Sequence, residues 1–471
     1  ILYILLSNNI IKKGMVKIMK ELKILSPCGI LGYGFPEESF NNGVKQNPDL
    51  IAVDAGSTDA GPHKLGAGVG IVSKRAVKKD LSLIFKAGYE LGIPIIIGSA
   101  GGSGAKPHND WTMNIIREIV KENNYKFKTA VIYADIDKNY VKKKLLNSKV
   151  KPLGPVHELT EDLIDKTTSI VGQMGVEPII KALNEGCQLI VCGRAYDPAA
   201  FAAYPISLGY DPGLAFHLGK ILECGALCAE PGTTRDCIMG YLGEDYFEVE
   251  PCNPERKCKI TSVAAHTLYE KDHPYILYGP GMELNLKDCE FEQITPSRVR
   301  VTKSKYIKPN IYTIKMEGAA KVAYRTFVVA GIRDPLMIEN LEMIEENVKE
   351  TIISHYSDID KNSYKIIFHN YGINGVMGSQ EQEKFKGHEV CIIIDIVASD
   401  QETASAICAS CRSTLLHYGY PNRKSTAGNL AFPFAPSDIE FGPVYKFTIY
   451  HLVNVDDPNE LFKIEKEIIG G

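Results

Sequence analysis

Acidic, basic and hydroxyl side chains accompany glycines at points where apolar runs of the sequence end. The run that ends at Val53 continues as "DAGSTDAGPHKLGAGVG", which contains Asp54, Asp59 and His63. An acid and an imidazole four residues apart in a glycine-rich loop suit proton transfer or metal ligation. We therefore predict that Asp54, Asp59 and His63 are acid–base groups or ligands of a divalent metal. Stabilisation of the turn is the alternative.

A second such stretch, "GSAGGSGAKPHND" at 98–110, joins an apolar run to a helix predicted to begin at Pro107. Small residues before a helix N-terminus leave backbone N–H groups accessible to an anion. The predicted anion-binding residues are Gly98, Ser99, Gly101, Gly102, Ser103 and Gly104. His108, in the first helical turn, is a further acid–base candidate, with helix capping as its alternative. For the glycines, the alternative is a tight connection with nothing bound.

The stretch "GRAYDPAAFAA" follows a third apolar run and supplies Arg194 and Asp197. A guanidinium group binds a carboxylate or a phosphate through two parallel hydrogen bonds. Arg194 is therefore the predicted anchor for an anionic ligand, with Asp197 beside it. A salt bridge between Arg194 and Asp197 is the alternative.

Neither nucleotide-binding fingerprint of glycine loops is present. The glycines do not fit G-x-G-x-x-G with a following helix in register, and no G-K-[ST] completes a Walker A loop. No NAD or flavin site is predicted, and redox chemistry is disfavoured.

Five apolar runs must position these residues, and they read as buried strands: 22–27, 50–56, 93–100, 129–135 and 188–194. Continuous apolar runs are typical of a parallel sheet that is covered on both faces. Helical patterns lie between them, so the predicted fold is α/β, with a doubly wound, mostly parallel sheet. In such sheets ligands bind beyond the carboxyl ends of the strands, where the candidate residues are expected to gather.

Four segments are predicted along the chain. They are a start extension or disordered segment at 1–20, an α/β ligand-binding domain at 21–232, a β-rich segment at 233–330 and an α+β C-terminal part at 331–471. Within the β-rich segment, the run "CKITSVAAHTLYE" at 258–270 is predicted to be strand-like. Residues 1–14 are expected to precede the true start, which we place near Met15 or Met19.

The composition excludes several classes of function. Lys and Arg number 53 against 57 Asp and Glu, so no basic excess indicates nucleic-acid binding. The 12 cysteines are scattered and fall largely in apolar runs, which argues against a disulfide framework. The first apolar run has six residues, too few to span a bilayer. We predict a cytoplasmic protein without a membrane partner, and expect a homo-oligomer.

Several motifs together resemble one family. They are "SPCGILGYG", "VDAGSTDAGPHKLG", "GSAGGSGA", "YADID", "GQMGVEPIIKAL", "VCGRAYDPAAFAA" and "TAGNLAFPFAPSDIEFG". These stretches resemble the acyclic terpene utilisation protein A (AtuA) family, formerly a domain of unknown function. The resemblance implies breakdown of branched acids and acyl-CoA thioesters. It also implies a small ferredoxin-like module or partner subunit in many relatives.

Two functional hypotheses remain open from the sequence. The first is an enzyme of carboxylate or acyl-CoA catabolism with non-redox chemistry: hydration, dehydration or a related lyase step. In it, the glycine run and Arg194 hold the carboxylate of a small acidic ligand or the phosphates of an acyl-CoA. The alternative is a non-catalytic subunit that binds an acyl ligand for a partner protein.

Overall fold

The computed structural model describes residues 19–270, 272–383 and 385–471. These residues form two compact units. The first contains the described residues up to Gly318 together with Thr448–Gly471, and the second is Ala319–Phe447. The predicted start extension at residues 1–14 lies outside the described residues.

The strands are, in chain order, β1 Leu22–Ser26, β2 Leu50–Asp54, β3 Ile95–Gly98, β4 Lys126–Ile132, β5 Val150–Pro152, β6 Ser169–Gly172, β7 Leu189–Cys192, β8 Ala229–Glu230, β9 Ile238–Leu242, β10 Tyr246–Pro251, β11 Lys257–Cys258, β12 Ile276–Gly279, β13 Met282–Asn285, β14 Glu290–Thr295, β15 Arg298–Thr302, β16 Lys305–Ile307, β17 Tyr312–Ile332, β18 Tyr364–Tyr371, β19 Val390–Ala398, β20 Asp438–Val455 and β21 Ile464–Gly470. The chain passes from the first unit to the second within β17 and returns within β20.

The α-helices are α1 Glu37–Val44, α2 Pro62–Ala67, α3 Lys74–Leu91, α4 Lys106–Asn123, α5 Lys138–Leu146, α6 Glu161–Lys166, α7 Glu177–Asn184, α8 Ala199–Ser207, α9 Pro212–Leu222, α10 Ile260–Thr267, α11 Pro335–Glu339, α12 Leu341–His355 and α13 Gln401–His417. Short 3₁₀ helices occur at Gly225–Cys228, Lys361–Ser363 and Gly378–Gln380. In the described ranges, no helix is both long enough and apolar enough to cross a membrane.

The first unit is built on a ten-stranded sheet in the order β14-β15-β10-β9-β1-β2-β3-β7-β4-β21. Its five middle strands, β1, β2, β3, β7 and β4, are parallel, and antiparallel strands flank them. These five are the strands predicted from the apolar runs, so the mixed α/β class and the mostly parallel core are confirmed. Parallel strands buried on both faces need apolar residues at successive positions, which is the pattern in the sequence.

Alternate side chains of the parallel strands enter two different hydrophobic cores. Ala52 and Ile96 belong to a core that contains residues of α7, α8 and α9. Val53 and Ile97 belong to the other core, with residues of α3 and α4. Because successive side chains of a strand point to opposite faces of the sheet, each of these strands contributes to both cores.

One predicted strand of the β-rich segment is wrong. In the stretch 258–270, only Cys258 lies in a strand, and Ile260–Thr267 forms helix α10. Val263, His266 and Thr267 are buried at helical spacing, and the Ser262 hydroxyl accepts a hydrogen bond from the Lys259 N–H at 3.0 Å. The capping interaction and the 3.6-residue period outweigh the strand preference of the β-branched residues.

The second unit has the order β17-α12-β18-β19-α13-β20 along the chain, apart from the short helices. Its strands lie side by side as β18-β19-β17-β20. This is the βαββαβ arrangement of ferredoxin-like folds. The hydrophobic core of the unit lies between this sheet and helices α12 and α13.

The glycine run between β3 and α4 is buried and packs against other parts of the main chain. Gly104 has a φ of +66°, and a Cβ atom there would lie 2.1 Å from the backbone nitrogen of Arg194. The Gly104 carbonyl accepts a hydrogen bond from that nitrogen at 3.0 Å. Gly104 therefore allows the segment after β3 to pack against the segment after β7, at the edge of the sheet where the candidate residues lie.

We predict that Gly104→Ala destabilises the protein much more than Gly92→Ala does. Gly92 has the same φ of +66° but no atom within 4 Å of an added Cβ. The control should cost about 1–2 kcal/mol, the cost of a left-handed conformation for a residue with a side chain. Gly104→Ala adds overlap with the backbone and should cost more than about 4 kcal/mol. Urea unfolding measures both values, and equal costs would contradict the packing described here.

Candidate functional site

Two adjoining cavities lie in the first unit, at the carboxyl ends of the parallel strands. Their volumes are about 350 and 210 Å³. Asp59, Asp197, Glu223 and Glu270 line both cavities. The larger one, called the polar cavity below, is also lined by Gln173, Arg194, Tyr196, Lys220 and Lys315. The smaller one, called the tyrosine cavity, is also lined by Asp54, Tyr33 and Tyr269.

Arg194 lies two residues after β7 and is only 2% exposed. Its Nε donates to Glu317 Oε2 at 2.8 Å, and its Nη1 donates to Asp197 Oδ1 at 3.0 Å. Nη1 also lies 3.2 Å from the Ser99 hydroxyl oxygen. The salt bridge with Asp197, which was the alternative for Arg194, is therefore present, together with a second ion pair to Glu317.

Glu317, on β17, is fully buried and forms ion pairs with two basic side chains, Arg194 and Lys315. Its Oε1 accepts from the Thr58 hydroxyl at 2.7 Å and from Lys315 Nζ at 2.8 Å, while Oε2 accepts from Arg194. Burial disfavours the charged form, but the charges of Arg194 and Lys315 outweigh it and lower the pKa of Glu317 to about 2. Glu317 is therefore a permanent carboxylate that joins the loop after β2 to the end of β7.

Asp54, the last residue of β2, is buried and has little hydrogen bonding. Its Oδ2 accepts from the Gly56 N–H at 3.3 Å, and its Oδ1 has no partner among the residues that the structure describes. Burial and the negative charge of Asp197 raise the pKa of Asp54 well above its usual value. Asp54 therefore holds its proton more tightly than an exposed aspartate does.

Glu223 directly follows the last residue of helix α9 and is 3% exposed. Its Oε1 accepts from Lys220 Nζ, and its Oε2 has no partner within the described part of the chain. Burial raises the pKa of Glu223 from 4.5 to about 8, with Asp197 adding to the shift and Lys220 opposing it. At neutral pH this carboxyl group carries a proton, which it can donate into the cavity.

The structure brings together only part of the predicted catalytic set. Asp54, Asp59, Arg194 and Asp197 lie at the cavities. Asp59 is exposed, and its Oδ2 accepts from the Ser57 hydroxyl at 2.9 Å. The catalytic and ligand-binding roles of these residues stay predictions.

The two predicted histidines line neither cavity. His63 lies in the short helix α2, where burial and the charge of Lys64 lower its pKa. His108 is buried, and its Nε2 lies 3.2 Å from the carbonyl oxygens of Lys64 and Val69. Burial also lowers the pKa of His108. Its contacts connect α4 to α2 and to the segment that follows α2.

The glycine run contributes to the site through Ser99. The Ser99 hydroxyl accepts from the Ala195 N–H and from Arg194, both at 3.2 Å. Gly98, Gly101, Gly102, Ser103 and Gly104 are buried and line neither cavity. Added Cβ atoms at Gly101 and Gly102 would overlap His108 and Ile71, so close packing of the chain requires these glycines.

No group of three or more His, Cys, Asp or Glu side chains in the described ranges is arranged to hold a metal ion. Among the acids of the cavities, Asp197 pairs with Arg194 and Glu223 with Lys220.

Sequence reasoning missed several residues of the site: Gln173, Tyr196, Lys220, Glu223, Lys315 and Glu317. A signal was present for Lys220 and Glu223, which lie three residues apart at the end of the apolar stretch "PGLAFHLGKILE". Charged side chains in an apolar, buried helix are uncommon unless they pair with each other, so such a pair indicates a structural or functional role. Glu317 has its partner Lys315 nearby in the sequence, but nothing local indicates its contacts with Arg194 and Thr58, which are distant in the chain.

The fold and the cavities define a mixed α/β protein with a carboxyl-rich site at the carboxyl ends of its parallel strands. The chain belongs to the acyclic terpene utilisation family AtuA, whose pattern it matches at residues 79–236 and 251–429, more than half of its length. This confirms the resemblance found in the motifs. Membership implies involvement in acyclic terpene utilisation, a broadly catabolic role. Comparison with curated proteins and with solved structures found no match.

We predict that Arg194→Lys lowers the stability of the protein, because Lys cannot make the separate bonds to Glu317 and Asp197. Breaking a buried ion pair usually costs about 3–5 kcal/mol, and we expect a loss of at least about 2 kcal/mol here, since the charge remains. The matched control is Arg117→Lys, which changes a half-exposed pair with Glu467. The control should change stability by less than about 0.5 kcal/mol. Urea unfolding tests both, and a stable Arg194→Lys would show that the pair with Glu317 is dispensable.

Proposed function

We propose that the chain is an enzyme of acyclic carboxylate or acyl-CoA catabolism that adds or removes water, or carries out a related lyase step. The observation that supports this most is the pair of buried carboxyl groups with raised pKa, Asp54 and Glu223, beside the ion-paired Asp197. Carboxyl groups whose environments separate their proton affinities are the usual components of acid–base sites.

Glu223 suits the role of general acid. Its pKa of about 8 keeps it protonated at neutral pH but allows it to release the proton, and general acids work best when their pKa lies near the working pH. Its unpartnered Oε2 is free to bond a leaving hydroxyl group. Asp54, whose pKa is also raised, lines the tyrosine cavity together with Glu223 and suits a second acid–base role.

Asp197 suits the role of general base. Its side chain is 25% exposed, and the ion pair with Arg194 orients it. In the dehydration direction, Asp197 removes a proton from the carbon next to a carbonyl group, and the C–O bond to the neighbouring hydroxyl group breaks. Glu223 protonates the departing oxygen, so that water leaves and a C=C bond forms. Hydration is the reverse of these steps.

Cations at the polar cavity support the same chemistry. Lys315, with its Nζ also 4.9 Å from the centre of the Tyr450 ring, lines this cavity beside Arg194. Negative charge develops on the carbonyl oxygen when the neighbouring carbon loses its proton, and fixed positive charges stabilise it. Gln173 adds an amide group that can bond the same oxygen.

We predict that Glu223→Gln and Asp54→Asn each lower turnover by at least about a hundredfold, the usual contribution of a general acid. The matched control is Glu345→Gln in the second unit, which removes another buried acid whose pKa is raised to about 7. The assay incubates the protein with a panel of branched carboxylic acids and acyl-CoA thioesters in ¹⁸O-water. Mass spectrometry detects gain, loss or exchange of water, and circular dichroism melting confirms folding.

Unchanged turnover in both cavity variants would contradict the assignment. Binding of an acyl compound by the wild-type protein, with no product from any member of the panel, would favour the non-catalytic binding subunit. A loss of turnover in Glu345→Gln equal to that in the cavity variants would show that the effect comes from stability.

A further inference from the structure

The tyrosine cavity differs in character from the polar cavity. Besides the shared acids, its lining includes Ile30, Tyr33, Leu227 and Tyr269. Tyr33 is 39% exposed and Tyr269 40% exposed, although they line the same cavity as the buried Asp54 and Glu223. Apolar surface left open next to buried acids is surface that an apolar ligand group can cover.

The position of Tyr33 is fixed by a buried acid in helix α3. The N–H groups of Gly32 and Gly34 donate to Asp80 Oδ2 at 2.8 and 3.1 Å, and the Tyr33 N–H donates to the Ile30 carbonyl at 3.0 Å. Asp80 is 2% exposed. The loop that carries Ile30 and Tyr33 is thus held to the body of the unit on both sides of Tyr33.

Tyr269 is held in a different way, just after helix α10. Its ring stacks on His266, with ring centres 5.4 Å apart, and Lys220 Nζ lies 5.5 Å from the centre of the ring. Its N–H donates to the His266 carbonyl at 3.0 Å. Lys220 is also the partner of Glu223. The tyrosine cavity and the proposed general acid are therefore connected through one residue.

We propose that the tyrosine cavity holds the apolar chain of the substrate, and that Tyr33, Leu227 and Tyr269 determine which chains are accepted. The inference rests on the proposed function. An apolar chain in the polar cavity would remove water from Lys315, whose side chain is 17% exposed, and removing water from a charged group is costly. The polar head therefore occupies the polar cavity, and the chain extends into the tyrosine cavity.

This orientation places a particular part of the substrate at the acids. The residues that both cavities share, Asp59, Asp197, Glu223 and Glu270, lie where the head ends and the chain begins. The carbons next to the head group are therefore the ones that face Asp197 and Glu223. A reaction at the second and third carbons of an amphipathic acid or thioester follows from this arrangement.

The test measures binding of straight-chain carboxylates from acetate to octanoate, and of the matching amides, by isothermal titration calorimetry. Wild-type affinity should rise by about fourfold for each methylene group that enters the cavity, from the burial of apolar surface. The rise should occur in both series, because the chain and not the charge of the head produces it.

Tyr33→Ala and Tyr269→Ala should each remove most of this rise. Tyr269→Phe should keep the rise, since the contact is apolar. The matched control is Tyr278→Ala, which removes a tyrosine that is 63% exposed on β12 and lines neither cavity. It should behave as the wild type.

The outcomes separate this inference from the proposed function. If acetate or acetamide binds but affinity does not change with chain length, the inference is overturned and the head site stands. If the rise persists in both alanine variants, the chain lies elsewhere and the inference is again overturned. If no acid or amide of any length binds, the proposed function and the inference fail together.

Discussion

The buried ion pair between Arg194 and Glu317 is the constraint on which the site depends. Two charges without water are stable only when their remaining hydrogen-bonding groups are also satisfied. The Ser99 and Thr58 hydroxyls, Lys315 and Asp197 satisfy them. These partners come from the loops after β2, β3 and β7 and from β17, so one ion pair fixes the geometry of the whole edge.

The same pair explains why the neighbouring acids hold protons. Arg194 donates its hydrogen bonds to Glu317 and Asp197 and not to Asp54, so that only its charge opposes the rise in the pKa of Asp54. Asp54 therefore faces burial and the charge of Asp197 with little compensation, and its pKa rises. Glu223 has Lys220 beside it, which moderates the rise to about 8. Because neighbouring charges act unequally on the buried acids, the pKa of Glu317 is lowered while those of Asp54 and Glu223 are raised.

How much of this site the sequence predicts depends on how far apart the interacting residues lie along the chain. The parallel strands follow from apolar runs, and the Arg194–Asp197 pair follows from a spacing of three residues. Glu317 is 123 positions from Arg194, and nothing near it in the sequence indicates that contact. The two histidines are predicted from their chemistry alone, and the sequence does not show that Nε2 of His108 lies within hydrogen-bonding distance of two backbone carbonyl groups. The anion-binding role of the glycines stays a prediction, and the sequence does not show that the chain packs closely beside Gly101, Gly102 and Gly104.

The most direct test of the central claim is whether Glu223 is protonated in the folded protein. A carboxyl group whose pKa rises from 4.5 to about 8 on folding stabilises the protein fully below 4.5 and loses that effect as the pH rises through 8. The free energy of unfolding of the wild type should therefore fall relative to Glu223→Gln by about 1.4 kcal/mol per pH unit between about pH 5.5 and 7.5. Urea unfolding across that range measures the difference. A difference that does not change with pH would show that Glu223 is a carboxylate paired with Lys220, and would contradict the account.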